Sequence, residues 1–310
     1  MSEILGFREP PREGLRDRVL ALRSQPLFEG LDDEALLLLA EHARSVTYRA
    51  GDVVAPEDEP PRALFIVLEG ELVATRQGKA LVKIGPGSAY GAFALLAREP
   101  PPLASAATTM RVLEVPAAAL ETALDENHSL LRKGLAVAAA GVLEFTGNLP
   151  ASPLFPPEVD EGTYYPEPKS MVERLIQVRR GNFARMNLEA LIDLARQMIE
   201  VRFPAGHLLW SAGDPPTHSL YIDCGRVRCI APDGEHVDIG SNFTLGVLDV
   251  WGAKQRAYTA RTETPVIGYR IEFETFLTLL ESHVEVGIQL LRTFARTLVV
   301  ERYASQSGRN

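Results

Sequence analysis

Residues 64–74 read LFIVLEGELVA, and the fold of the first half of the chain is most readily recognised here. An apolar run over 63–68 predicts a short buried strand, and the alternation over 71–75 predicts a second strand with one face covered. Gly70 lies between the two runs, where a tight turn is expected. The pattern therefore predicts a β unit of short strands in the first half of the chain.

The segments on either side extend the same pattern. Further short strands are predicted over 81–84 and 112–115, and the Gly-Pro-Gly sequence at 85–87 predicts a turn. Short strands separated by such turns favour a sandwich or a small barrel. Flanking helices are predicted to begin at three positions: Asp32, Pro116 and His128.

A repeat relates the two halves of the chain. Four glycines of the first half recur 155 residues later, each where a tight turn or a positive φ is expected. The second half is therefore predicted to repeat the β unit. The pairs are Gly51 with Gly206, Gly70 with Gly225, Gly85 with Gly240 and Gly91 with Gly246.

A proline-rich segment, residues 147–170, separates the halves. It contains six prolines and no basic residue before Lys169. Proline removes backbone donors and fixes φ, so this segment is predicted to be a semi-rigid linker. A second interpretation is a partner-docking segment, because Tyr164 and Tyr165 are expected to be exposed among acids and prolines.

The sequences LFIVLEGELVA and, over 84–108, IGPGSAYGAFALLAREPPPLASAAT resemble the cyclic-nucleotide-binding domain. This is the β-roll of CRP/FNR regulators and of protein kinase A regulatory subunits. The resemblance implies a mainly β fold with flanking α-helices, built as two cyclic-nucleotide-binding-like β-roll (jelly-roll) domains in tandem. The expected bounds are 24–146 for domain 1, 147–170 for the linker and 171–303 for domain 2.

The resemblance also locates the ligand loops. In this family a short helix and a loop hold the cyclic phosphate on backbone N–H groups, a glutamate accepts from the ribose and an arginine pairs with the phosphate. Domain 1 keeps the glycine at Gly91. However, Ala92 stands where the glutamate is expected, and uncharged residues 101–103 stand where the arginine is expected. Domain 1 is therefore predicted not to bind a cyclic nucleotide.

Domain 2 departs less from the family pattern. Gly246 is kept, and Val247 replaces the glutamate. Arg256, Thr259 and Ala260 fit the end of the loop pattern. One interpretation is a retuned anion site that takes a cyclic nucleotide or another phosphate-bearing ligand. The other is a surface arginine in a degenerate pocket.

Composition and charge exclude several classes of function. The formal net charge of −9 makes a general nucleic-acid-binding surface unfavourable. The last predicted helix runs to about Tyr303, and residues 304–310 are too short a segment for a helix-turn-helix, so no direct DNA binding is expected. Two cysteines cannot form a disulfide framework, and no apolar run is long enough for a membrane span. A cytoplasmic protein is expected.

No catalytic or metal-binding constellation is recognisable in the sequence. The six histidines lack metal-ligand spacing, and neither a nucleophile-elbow motif nor a phosphate-binding P-loop motif occurs. We therefore expect no enzyme activity, no metal and no cofactor. The expected function is regulation by protein–protein interaction through degenerate domains, and the alternative is a second-messenger receptor that binds in domain 2.

Two helices have apolar residues at heptad-like spacing. These stripes predict either a homodimer seam through the C-terminal helices or packing of each helix on its own β-roll. A further long helix is predicted between Met171 and Glu200. The stripes are Leu131, Leu135, Ala138, Val142 and Phe145, and Val284, Ile288, Leu291, Ala295 and Leu298.

Overall fold

The chain forms two compact units, Met1–Leu130 and Leu131–Asn310. The computed structural model describes residues 14–25, 28–29, 31–146, 148–150, 161–180, 183, 186–253 and 255–307. Within those ranges, no helix is long and apolar enough to cross a membrane. The domain bounds expected from the sequence stay a prediction.

The first unit is a β-roll of two four-stranded antiparallel sheets with helices before and after it. Its sheets have the strand orders β1-β8-β3-β6 and β2-β7-β4-β5. Its elements are α1 (Leu15–Arg23), α2 (Asp33–His42), β1 (Arg44–Tyr48), β2 (Val53–Ala55), β3 (Ala63–Glu69), β4 (Leu72–Arg76), β5 (Lys79–Ile84), β6 (Ala89–Tyr90), α3 (Ala92–Ala97), β7 (Leu103–Ala106), β8 (Met110–Pro116), α4 (Ala117–Glu126) and the start of α5 (His128–Phe145).

The second unit repeats this topology. Its sheets have the orders β9-β16-β11-β14 and β10-β15-β12-β13, which match the first unit strand for strand. Besides the rest of α5, its elements are α6 (Met171–Val178), α7 (Leu188–Gln197), β9 (Ile199–Phe203), β10 (Leu208–Trp210), β11 (His218–Cys224), β12 (Val227–Ile230), β13 (His236–Ile239), β14 (Phe243–Leu245), α8 (Val247–Gly252), β15 (Thr259–Thr262), β16 (Val266–Glu272), α9 (Phe273–Ser282) and α10 (Val284–Ser307).

Each core draws apolar side chains from both sheets of its unit. In the first unit, Phe65 and Val112 of one sheet pack in the same cluster as Val54 and Leu72 of the other. The strands predicted at 63–68, 71–75, 81–84 and 112–115 are confirmed, each to within about two residues. Burial of these side chains stabilises each roll, at about 25 cal/mol for each Å² of apolar surface removed from water.

The helix starts predicted from the sequence are also confirmed. Asp32 caps α2 by accepting a hydrogen bond from the backbone N–H of Ala35, and Asn187 caps α7 in the same way 155 residues later. Such caps satisfy backbone donors that have no partner inside the helix. Pro116 directly precedes α4, and α5 begins at His128.

Three of the four glycine pairs take the positive φ that the repeat predicts. Gly70 and Gly225 have φ of 81° and 101°, and a side chain on either would overlap neighbouring backbone. The prediction for Gly85 and Gly240 is only partly right: neither has a positive φ, although Gly85 lies in a turn. The left-handed residues occur two positions later, at Gly87 and Asn242.

The long helix predicted from Met171 to Glu200 is wrong. A capping box at Ser170 and Glu173 starts α6, which ends after Val178, and the cap at Asn187 starts α7 as a separate helix. Local capping therefore divides the apolar pattern into two short helices, and strand β9 already begins at Ile199.

Helix α6 is the counterpart of α1, so the repeat extends towards the N-terminus. The Arg18 side chain of α1 donates to the carbonyl of Ala43 at 2.7 Å. In the second unit, Arg174 of α6 donates to the carbonyl of Met198 at 3.1 Å. Each arginine therefore ties its helix to the residue just before the first strand of its roll.

Leucines of the second apolar stripe pack against glycines of α5 inside the second unit, an arrangement that neither sequence interpretation considered. A Cβ on Gly134 would lie 3.2 Å from the Leu291 side chain, and one on Gly141 would lie 3.0 Å from Leu298. Glycines on α5 thus admit leucines of α10 at close range. A homodimer through the C-terminal helices stays a prediction, and it requires a face other than these buried residues.

Candidate ligand-binding site

The candidate site of the second unit is built where β14 turns into α8. Gly246 makes that turn with φ 76°. A Cβ at this position would overlap Nη1 of Arg256, so the guanidinium rests directly on the glycine. The backbone N–H of Gly246 donates to the buried hydroxyl of Tyr258 at 3.0 Å. A donor that could hold an anion is thereby used inside the fold.

Arg256 is enclosed by its own unit. Its side chain is 1% exposed, and Nη2 donates to the carbonyl of His218 at 2.5 Å. The guanidinium lies 4.1 Å above the Trp210 ring, a cation–π contact that also shields it from water. The interpretation of Arg256 as a surface arginine is therefore wrong.

Asp249 of α8 supplies the counter-charge. Its side chain is fully buried, Oδ2 lies 3.6 Å from Nη1 of Arg256, and Oδ1 accepts from the backbone N–H of Ala257 at 3.3 Å. Burial raises the pKa of Asp249 to about 6, against the lowering effect of Arg256. Burial also lowers the pKa of Arg256, because desolvation disfavours a charged group.

The other predicted site residues also serve the fold. Ala260 is fully buried in the core of the roll, and the Thr259 hydroxyl accepts from the backbone N–H of Ala212 at 3.0 Å. Val247 is the first residue of α8 and offers no acceptor to a ribose. The structure brings Gly246 and Arg256 together, whereas Thr259 and Ala260 extend away along β15.

The His218 ring also packs against Trp210. The two rings form an edge-to-face pair with centroids 5.9 Å apart. Burial, reinforced by the charges of Arg256 and Arg270, lowers the pKa of His218 to about 4. The ring is therefore neutral at physiological pH, and it adds no second cation beside Arg256.

The corresponding place in the first unit carries no charged pair. Gly91 makes the same turn with φ 91°, and α3 follows with Ala92. The loop after α3 is closed by a 2.6 Å hydrogen bond from the Tyr90 hydroxyl to the carbonyl of Pro102. Arg98, the nearest arginine in the sequence, pairs instead with Glu121 of α4 at 2.9 Å and is largely exposed.

Sequence reasoning missed three members of the second site: Trp210, Asp249 and Tyr258. The signal was present in the repeat, because Ala55 and Ala94 stand where Trp210 and Asp249 stand 155 residues later. An acid that replaces an alanine on a helix facing an arginine indicates an internal ion pair. Among the described residues, no cluster of three or more His, Cys, Asp or Glu side chains could hold a metal ion.

Comparison with known proteins places this geometry in a family. Residues 45–127 and 200–283 each match the model of the cyclic nucleotide-binding domain. The two matches cover more than half of the chain, and the chain belongs to the cyclic nucleotide-binding domain family. The tandem β-rolls expected from the sequence are thereby confirmed.

Two curated relatives match part of the chain. A CRP-like cAMP-activated global transcriptional regulator of Mycobacterium tuberculosis is 29% identical over 128 residues, which are 40% of this chain and 57% of the regulator. An uncharacterized NTE family protein of Mycobacterium bovis is 31% identical over 144 residues, 42% of this chain and 24% of that protein. The chain thus spans less than two thirds of either relative.

Among solved structures, one of a protein kinase A regulatory subunit aligns along nearly the whole chain. The regulatory subunit of a cAMP-independent protein kinase A from Trypanosoma brucei is 14% identical and has a TM-score of 0.36. The alignment covers 98% of this chain and 97% of that one.

Proposed function

We propose that this chain is a regulatory protein that acts through protein partners, and that neither of its β-rolls takes a cyclic nucleotide. The carrying observation is the buried pair of Arg256 and Asp249. The cation that would meet a phosphate already has a carboxylate beside it, and it is covered by Trp210. A ligand would have to displace Asp249 from a site from which water is excluded.

The first unit supports the same conclusion by a different route. Ala92 cannot accept a hydrogen bond from a ribose, and the buried Pro101 and Pro102 offer no counter-charge to a phosphate. Burying an unpaired anion costs several kcal/mol, roughly. With no recognisable catalytic constellation, the two rolls are best suited to presenting surfaces to other proteins.

The alternative function is a cyclic-nucleotide receptor that binds in the second unit. One observation favours it: the Arg256 to Asp249 separation of 3.6 Å is that of an ion pair without a hydrogen bond. A phosphate could make a closer, charge-assisted contact with the same guanidinium. In that case the Asp249 carboxylate pairs with Arg256 only while no ligand phosphate is bound.

Thermal unfolding separates the two functions. Both tryptophans of the chain, Trp210 and Trp251, belong to the second unit, so intrinsic fluorescence follows that unit. The melting temperature of the wild-type chain is measured with and without cAMP, cGMP and cyclic dinucleotides, each at about 1 mM. A ligand at about 100 times its Kd stabilises by about 2.7 kcal/mol, which is about 5–10 °C for a unit of this size.

We expect no shift with any of these nucleotides. A shift of about 5 °C or more that is lost in Arg256→Lys would overturn the proposal and establish a receptor. The matched control is Arg228→Lys, which changes an arginine of the same unit that pairs with Asp238 on the neighbouring strand. It should leave any nucleotide effect unchanged.

A further inference from the structure

The end of the linker is docked on the second unit. We call residues 161–170 the strap. It contains no helix or strand. Its first residue accepts a 2.6 Å hydrogen bond from the backbone N–H of Gly225 through the carbonyl of Glu161. Further along, Arg202 of β9 donates to the carbonyl of Tyr165 at 2.9 Å.

The strap ends on a buried carboxylate, that of Asp223. Its side chain is 2% exposed. The Tyr165 hydroxyl donates to Oδ2 at 2.5 Å, and Nζ of Lys169 lies 2.8 Å from both carboxylate oxygens. The expectation that Tyr164 and Tyr165 are both exposed is therefore wrong for Tyr165, whereas Tyr164 is 60% exposed.

Asp223 lies in a β-bulge of strand β11. The pairing with β16 shifts between Ile222 and Cys224, so Asp223 is the extra residue that the bulge aims out of the ladder. The first unit has the same bulge between Val67 and Glu69, and there the extra residue is Leu68. The bulge is thus a feature of the fold, but the carboxylate is not.

The remaining contacts depend on the shape of the strap as well as on its charge. The Lys169 ammonium lies 4.5 Å from the centre of the Tyr165 ring, and the Tyr165 hydroxyl is 3.4 Å from that of Tyr269. Gly162 has φ 66°, and a side chain there would come within 2.9 Å of the Asp223 carbonyl. A tyrosine and a lysine four residues apart are therefore recognised together.

A buried carboxylate destabilises a roll unless a cation meets it, and the first unit folds with leucine in its place. The fold of the roll therefore does not require a carboxylate at this position. We propose that Asp223, with Tyr269 and Arg202 beside it, forms a peptide-docking site, and that the strap occupies it in cis. The partner is a polypeptide whose docking segment carries a tyrosine and a lysine four residues apart across a proline bend. This inference rests on the proposed function.

A partner must compete with the strap for the Asp223 site. A tethered segment acts at an effective concentration in the millimolar range, roughly. A free peptide of the same chemistry must displace it, so its apparent affinity falls by the fraction of molecules in which the site is open. Pro166 and Pro168 lower the ordering cost of the strap, because their φ angles are fixed.

A labelled peptide with the sequence of residues 161–170, EGTYYPEPKS, tests the proposal in the full chain. Fluorescence anisotropy is compared between the wild type and Tyr165→Ala/Lys169→Ala, which removes the two strap side chains that bind Asp223. We expect the peptide to bind the double variant at least about 10-fold more tightly than the wild type. Adding Asp223→Asn to the double variant should abolish binding. The matched control is Tyr164→Ala, which should behave like the wild type.

The proposal is overturned if the folded double variant does not bind the peptide, or if binding survives Asp223→Asn. It is also overturned if a peptide with phenylalanine and methionine in place of Tyr165 and Lys169 binds equally well. If the double variant does not fold, Lys169→Met replaces it under the same criteria. A nucleotide shift that depends on Arg256 would refute the proposed function alone, whereas loss of peptide binding refutes this site alone.

Discussion

The two β-rolls place very different groups at the same turn. In the first unit, the glycine turn at Gly91 leads into Ala92 and Ala94, and prolines close the loop. In the second, the turn at Gly246 lies against a buried Arg256 paired with Asp249. One roll has an uncharged interior here, and the other has a neutralised ion pair.

The difference shows that the fold does not need charge at this position. Strand orders, bulges and glycine turns agree between the units, while the side chains at the turn do not. Each unit also closes its own turn: Tyr90 bonds to Pro102 in the first, and Tyr258 bonds to Gly246 in the second. The charged pair of the second unit is thus added to a roll whose counterpart in the first unit has the same strand orders without it.

The largest expected effect comes from breaking the ion pair. Asp249→Ala leaves a buried, unpaired guanidinium, and we expect it to cost about 3–5 kcal/mol of unfolding free energy in the second unit. The double variant Asp249→Ala/Arg256→Met resembles the first unit and should recover most of that loss. Urea unfolding followed by tryptophan fluorescence measures both. A double variant no more stable than the single one would contradict the comparison.

An intermediate effect is expected in the pH dependence. The folded pKa of Asp249, about 6, is above its ordinary 3.8, so the folded state holds the extra proton and stability falls as pH rises from about 4 to 6. The folded pKa of His218, about 4, is below its ordinary 6.5. Its contribution to folding stability therefore increases as pH rises over nearly the same range. The two contributions oppose each other in the wild type.

Replacing His218 should make the contribution of Asp249 to the pH dependence of stability measurable. We expect His218→Gln to lose about 1–2 kcal/mol of stability between pH 4 and 6, within the limit of about 1.4 kcal/mol per pH unit for one proton. The wild type should vary less over that range. Urea midpoints at several pH values measure this, with His236→Gln, which changes an exposed histidine of the same unit, as control. If the stability of His218→Gln does not change between pH 4 and 6, the contributions of Asp249 and His218 do not oppose each other.

The smallest effect is expected in the first unit. Its Arg98 to Glu121 pair is exposed to water, so Glu121→Gln should cost less than about 1 kcal/mol. Far-ultraviolet circular dichroism measures this unfolding, since the first unit contains no tryptophan. A loss as large as that of Asp249→Ala would remove the distinction between buried and exposed pairs.

The sequence predicted most of the architecture because its signals are local. Strand alternation and the helix starts at Asp32 and Pro116 depend on residues near each other in the chain. The glycine register then shows that the same local pattern occurs twice. The site was predicted only in part. Arg256 was found by its place in a loop pattern, but the Asp249 partner and the Trp210 cover come from different elements.

The sequence alone is enough to predict the repeated β-roll and the lack of the family glutamate at Ala92 and Val247. Hydrophobic alternation and turn glycines predict the repeated β unit. The resemblance to the cyclic-nucleotide-binding domain implies the β-roll and shows which positions lack the glutamate. The tertiary structure alone decided which groups meet: Arg256 with Asp249, Lys169 with Asp223, and the leucines of α10 with the glycines of α5. Such pairings depend on burial and on contacts between segments far apart in the chain, and no local pattern records them.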